Sequence, residues 1–133
     1  MRQAVTAVIR QGDKILLHQR SLESRGQPGK WENAGGEIDP GETPEVAIVR
    51  EIKEELGVDF TVEKRFYEDV FKSGEDDWKV IIFGGTISGT PQVMIPAETM
   101  AVKWFDISEL HTVDLATYTR ADFVKFGWIK DNL

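Results

Sequence analysis

Residues 36–58 run Gly36-Glu37-Ile38-Asp39-Pro40-Gly41-Glu42-Thr43-Pro44-Glu45-Val46-Ala47-Ile48-Val49-Arg50-Glu51-Ile52-Lys53-Glu54-Glu55-Leu56-Gly57-Val58. Thr43 suits an N-cap, Pro44 the first helical position and Gly57 the residue just past the end, which predicts a helix over 44–56. Glu45 lies near the positive end of its dipole. Ile48, Val49, Ile52 and Leu56 recur at helical spacing and predict the buried face. At about 100° per residue, Glu54 falls about 60° to one side of Glu51 and Glu55 about 40° to the other. Three carboxylates therefore share a face, with Ile52, Val49 and Leu56 well away on the core side. Like charges at these spacings repel by about a few tenths of a kcal/mol per pair in water, and by more when enclosed. A hard divalent cation relieves that repulsion. Oxygen donors in a chain without cysteine favour Mg²⁺, with Mn²⁺ as a substitute, over zinc.

The approach to this helix carries Gly35-Gly36 and Pro40-Gly41, which predict a tight, flexible loop. A backbone carbonyl at Gly36 offers a further metal ligand. Arg50 is placed to pair with a neighbouring carboxylate and hold its orientation. The charge pattern agrees. The chain has a net charge of −7, and residues 37–63 hold nine acids against Arg50 and Lys53 alone, so this segment carries the whole imbalance. That distribution argues against a broad nucleic-acid-binding face.

From Gly36 to Val58 the sequence resembles the Nudix box, G-x5-E-x7-R-E-U-x-E-E-x-G-U with U a bulky aliphatic, without a mismatch. The resemblance implies an α/β fold, an α/β/α sandwich with a mixed β-sheet between helices. It implies Mg²⁺-dependent hydrolysis of a nucleoside diphosphate linked to another group, by attack of water on a phosphorus of the pyrophosphate linkage. It also implies roles: Glu51, Glu54 and Glu55 as metal ligands, Gly36 through its carbonyl, Arg50 orienting the glutamates within the catalytic set, and Glu42 bracing the loop–helix junction. Family members differ in the carboxylate that takes the proton from water. Two candidates stand here: Glu54 in the box, and Glu98 in Pro96-Ala97-Glu98, where many relatives supply a loop carboxylate. Either is equally a candidate metal ligand.

Around the box, residues 3–9 and 15–20 read as strands with a candidate hairpin turn at Gln11-Gly12-Asp13, and 21–30 as a surface loop. Residues 60–72 and 78–87 read as longer strands around a turn at 74–77. Residues 101–105 read as a further strand, 106–110 as a short helix or turn, and 117–131 as a final helix with Phe123, Phe126 and Ile129 at three-residue steps. At 133 residues, 41% hydrophobic and 29% charged, the chain reads as a single domain over 1–133. It has no cysteine, no apolar stretch of membrane-spanning length and no signal-peptide pattern at Met1–Arg10, which together predict a cytoplasmic protein without membrane association. Monomer and homodimer both remain open.

The substrate is read from weaker signs. Arg20 closes a strand, and a similarly placed arginine contacts substrate phosphates in the MutT-type triphosphate pyrophosphohydrolases that this chain resembles. Its alternative role is a surface ion pair. Trp31 is a candidate to stack on a base, against a role in packing. Asn33 is a candidate to read a base edge. Ala34 stands where many relatives have proline. Trp78, Trp104, Tyr118, Phe123, Phe126 and Trp128 are divided between a base pocket and the core. Residues 73–76 lack the proline or tyrosine that often marks relatives specific for ADP-ribose or dinucleoside polyphosphates, and no N-terminal extension is read. The expected substrate is therefore a (d)NTP, canonical or oxidised, cleaved to monophosphate and pyrophosphate. ADP-ribose or another conjugate, and a non-catalytic nucleotide sensor, are the alternatives. His18 and His111 are isolated, without zinc-ligand spacing, and read as structural or exposed.

Overall fold

The structure, a computed structural model, describes residues 1–130. Strands β1 (Arg2–Gln11) and β2 (Lys14–Arg20) form a hairpin across Gly12, whose φ of 59° suits the tight turn. Two short strands follow, β3 (Trp31–Glu32) and β4 (Ala34–Glu37), then helix α1 (Pro44–Leu56). The long strands β5 (Asp59–Ser73) and β6 (Asp76–Ser88) pair as a second hairpin, and β7 (Thr99–Asp106) runs into a 3₁₀ turn (Ile107–Thr112) and helix α2 (Thr117–Lys125). The sheet order is β3-β2-β1-β6-β5, with β4 joined to β1 and β7 to β2. The β1–β6 pairing is parallel and the others antiparallel, so the sheet is mixed. The expected α/β class holds.

Apolar side chains alternate along the strands and build two cores, one on each face. Val5, Ala7, Ile9, Leu16 and Phe83 meet Ile48, Ile52 and Leu56 of α1 on one side. Val8, Ile15, Leu17 and Ile82 meet Leu110 and Phe123 on the other. The ends of α1 fall where its caps place them. Thr43 Oγ1 accepts from Val46 N–H at 3.2 Å, and Gly57, at φ 72°, donates its N–H to Lys53 O at 3.0 Å. A cap of this kind contributes about 1 kcal/mol.

Four expectations need correction. Gly35-Gly36 is not a flexible loop: both glycines lie in β4, opposite Thr6 and Val5 of β1. The predicted turn at 74–77 narrows to Gly74-Glu75, since Asp76 and Asp77 already belong to β6. Helix α2 stops at Lys125, because Gly127 takes a φ of 78° and Trp128 N–H turns back to Phe123 O at 2.9 Å. Residue 131 of that expected helix lies outside the described residues. Finally, Val49 is 39% exposed, while Ala47, Ile48, Ile52 and Leu56 are buried. The buried arc of α1 is thus rotated away from Val49, toward the side that carries Glu51 and Glu55.

Candidate active site

That rotation defines the site. The three glutamates do not stand together above an outward helix face. Glu55 is turned inward, its side chain 12% exposed, Glu51 is similarly enclosed at 13%, and only Glu54 stays in the open at 53%. The carboxylates therefore follow the seam where α1 meets the sheet. Arg50 orders them from the outside. Its Nε and Nη2 donate to Glu42 at 2.7 and 2.8 Å, its Nη1 to Glu51 at 3.0 Å and to Glu54 at 3.2 Å, and its Nη2 also to Glu37 O at 3.0 Å. Glu42 in turn accepts Asp39 N–H at 2.8 Å, which ties the turn before α1 to the helix. Bonding to Glu42, then to Glu51, raises the Arg50 pKa, and the same bond to Arg50 lowers that of Glu42. Arg50 is a permanent cation in this web.

Gly36 meets Glu51 directly: a side chain on Gly36 would strike the Glu51 carboxylate. The Gly35 backbone faces Glu55 and weakly favours its ionised form. Glu55 Oε2 is buried without a hydrogen-bond partner. Burial first, and then the charges of Glu51, Glu32 and Glu98, push the Glu55 carboxyl up to about 9. Burial likewise raises Glu51, against the opposing pull of Arg50. A protein gains nothing by burying a carboxylate among others with an oxygen left bare. A divalent cation with oxygen donors supplies what is missing, so the donor set fits one. Among the described residues no three such groups already converge as a finished cage, and Arg50 Nη1 is shared by Glu51 and Glu54.

Glu98 lies in the turn before β7. It is exposed, its carbonyl accepts Ser21 N–H at 2.9 Å, and its charge acts on Glu55, which places it at the same seam.

Of the residues read as substrate contacts, Arg20 joins this seam through Glu32, whereas Trp31 and Asn33 face the α2 side of the sheet. Arg20 Nη1 is 3.2 Å from both oxygens of Glu32, and its Nε donates to Gly26 O at 2.8 Å. Its side chain is still 27% exposed. Trp31 packs edge-on against Phe105, with ring centroids 5.0 Å apart, in the α2-side core. Asn33 is 3% exposed and lies between β3 and β4. Its N–H faces Thr119 Oγ1 of α2, and both polar atoms of its side-chain amide lack partners. Thr6 Oγ1 is also buried and unpartnered. Since Ala7 pairs with Ala34 and Thr6 with Gly35, Thr6 and Asn33 are diagonal neighbours on the α2 face.

Sequence reasoning missed Thr6, and it missed the network around Glu32. This buried carboxylate accepts from Arg20 and from the Tyr118 hydroxyl, and lies 3.0 Å from His18 Nε2. Burial opposes its ionisation, but the contacts to His18, Tyr118 and Arg20 outweigh that and lower its pKa. The one available signal was alternation along β2. His18 shares the face of buried Leu16, and a polar residue there calls for a partner.

The chain's likenesses to known proteins agree with this geometry. The NUDIX domain profile matches residues 1–125. Nucleoside triphosphatase NudI of Enterobacter sp. (strain 638) is 30% identical over 95% of this chain and 96% of its own length. A CTP pyrophosphohydrolase of Escherichia coli (strain K12) is 48% identical over 62 residues, a match that spans 47% of this chain and 45% of that protein. The crystal structure of a MutT NUDIX hydrolase from Burkholderia pseudomallei superposes with a TM-score of 0.83 at 28% identity, over 92% of this chain and 95% of that one. An arginine-ordered row of glutamates set against a glycine strand is thus carried on the matching fold, and the chain belongs to the Nudix family, as a Nudix hydrolase.

Proposed function

We propose that the protein hydrolyses a nucleoside triphosphate to the monophosphate and pyrophosphate, with Mg²⁺ as the metal and Mn²⁺ as a substitute. The observation that carries this reading is the buried Glu55 carboxylate with one bare oxygen, among the charges of Glu51, Glu32 and Glu98, with Gly36 set against Glu51. Glu51, Glu54, Glu55 and the Gly36 carbonyl are the proposed ligands, with Glu98 as a further one. When bound, a divalent cation neutralises phosphate charge and lowers the pKa of a coordinated water.

The remaining work falls to the chain's own groups. Arg50 keeps Glu51 and Glu54 oriented through Nη1, and Glu42 holds Arg50. Glu54 and Glu98 are the two exposed carboxylates of the set, and so the two positioned to take a proton from water. Arg20 is the proposed phosphate contact. Asn33 is the proposed contact to a base edge, since its side-chain amide, buried beside Thr6, has no partner within the protein. Trp31, held against Phe105, supports the wall rather than stacking on the base. The triphosphate class is further supported by the relatives, since both the NudI protein and the E. coli enzyme bear names for nucleotide hydrolysis.

Glu55→Gln tests this reading. The variant keeps the side-chain volume and removes the charge, so it should fold as the wild type does by circular dichroism. Its Mg²⁺-dependent kcat should fall by at least about 100-fold. Wild-type turnover in Glu55→Gln would remove Glu55 from the site.

A further inference from the structure

His18 is a polar side chain at 6% exposure in the middle of a sheet. Such a ring is costly to bury unless its nitrogens are engaged. Its Nδ1 is 3.1 Å from Thr99 Oγ1. Its Nε2 faces two carboxylates, with Glu32 Oε2 at 3.0 Å and Glu55 Oε2 at 3.9 Å. Two facing carboxylates call for the ring proton on Nε2, which leaves Nδ1 to accept from the Thr99 hydroxyl. Neither Nε2 nor Glu55 Oε2 completes a well-formed hydrogen bond in this arrangement, so the pair is poised rather than locked. Thr99 directly follows Glu98. One ring therefore touches α1 through Glu55, the start of β7 beside Glu98, and β3 through Glu32, which Arg20 and Tyr118 also hold.

We propose that His18 is a positioning residue: it aims the Glu55 carboxylate toward the metal and fixes the turn that carries Glu98. The proposal rests on the reading of Glu55 as a ligand. Groups that orient a metal's ligands from behind change affinity by about 10- to 100-fold when removed.

The test is a Mn²⁺ titration of the full chain without nucleotide, followed by water proton relaxation, alongside kcat, KM and thermal melting. His18→Leu fills similar volume but cannot donate, whereas His18→Gln keeps a donor of similar reach. His18→Leu should bind Mn²⁺ at least about tenfold more weakly and lose kcat by a similar factor, with nucleotide KM within about threefold of wild type. His18→Gln should recover most of both. Thr99→Val, which cuts only the Nδ1 contact, should weaken Mn²⁺ binding in the same direction. Wild-type Mn²⁺ affinity in His18→Leu overturns the proposal. So does an equal loss in the Leu and Gln variants with equally lowered melting, which marks a packing role. If His18→Leu does not fold, wild-type Mn²⁺ affinity in Thr99→Val overturns it. Glu55→Gln serves as the control. Wild-type Mn²⁺ binding there defeats the metal reading itself, whereas loss there with full affinity in His18→Leu defeats only the role of His18.

Discussion

Residue by residue, the molecule sorts its buried charges by what they face. Glu32 is enclosed yet stays ionised, because Arg20, His18 and Tyr118 surround it. Glu55 is enclosed among carboxylates and is pushed the other way. Asp122, on α2, is a third case, away from the seam between α1 and the sheet. It is 7% exposed and accepts the Tyr67 hydroxyl, with Asp69 and Lys125 nearby. Burial raises its carboxyl from 3.8 to about 6, against the opposing effects of Tyr67 and Lys125. A folded-state pKa above the unfolded one means that folding favours the protonated form. The stability from this group is therefore full below the unfolded value and lost as pH rises through about 6. Measured against Asp122→Asn by urea unfolding, the wild type should lose on the order of 2 kcal/mol between pH 4 and pH 6. A difference that does not change with pH would show that Asp122 is not held in this way.

At the scale of elements, the legible parts were those with local rules. Thr43, Pro44 and Gly57 mark both ends of α1, and helical spacing groups Glu51, Glu54 and Glu55. Strands β3 and β4 were not legible. They have two and four residues, include Gly35 and Gly36, and carry no alternation to read. Which side of α1 the glutamates take was also hidden, since it depends on how the helix rolls onto the sheet. The His18–Thr99 contact spans 81 positions and lies outside any motif. The two glycines of β4 separate packing from chemistry. A Cβ on Gly35 would meet backbone atoms of Val5 and Thr6, whereas one on Gly36 would meet the end of a side chain, Glu51. Gly35→Ala should therefore cost at least about 2 kcal/mol in chemical denaturation, by prising β4 from β1. Gly36→Ala should melt nearer to wild type but lose about tenfold or more in kcat, through displacement of Glu51. The reverse ranking would contradict the assignment of Gly36 to the site.

For the whole molecule, the sheet divides along β1. Residues 4–7 of β1 pair with β4, and residues 9–11 pair with β2. Asn33 sits where the chain passes between the two branches, with the α1 seam and its glutamates on one face and Thr6 and α2 on the other. Loop 21–30 is bound to the α2 side as well: Lys30 pairs with Asp114 at 2.6 Å, and Gln27 Oε1 accepts Thr117 N–H at 3.2 Å. The acidic segment that holds the chain's excess charge thus becomes one wall of a divided sheet, and an anionic substrate needs a cation there to approach it.

Metal-dependent cleavage of a nucleoside triphosphate at this wall, the proposed activity, is tested by a product-resolved assay of the purified protein with Mg²⁺, over canonical and oxidised (d)NTPs, ADP-ribose, sugar nucleotides and dinucleoside polyphosphates. A triphosphate should yield nucleoside monophosphate and pyrophosphate, and chelation of the metal should abolish the reaction. Turnover confined to ADP-ribose with release of AMP and ribose phosphate, or tight nucleotide binding with no turnover of any substrate, would contradict it.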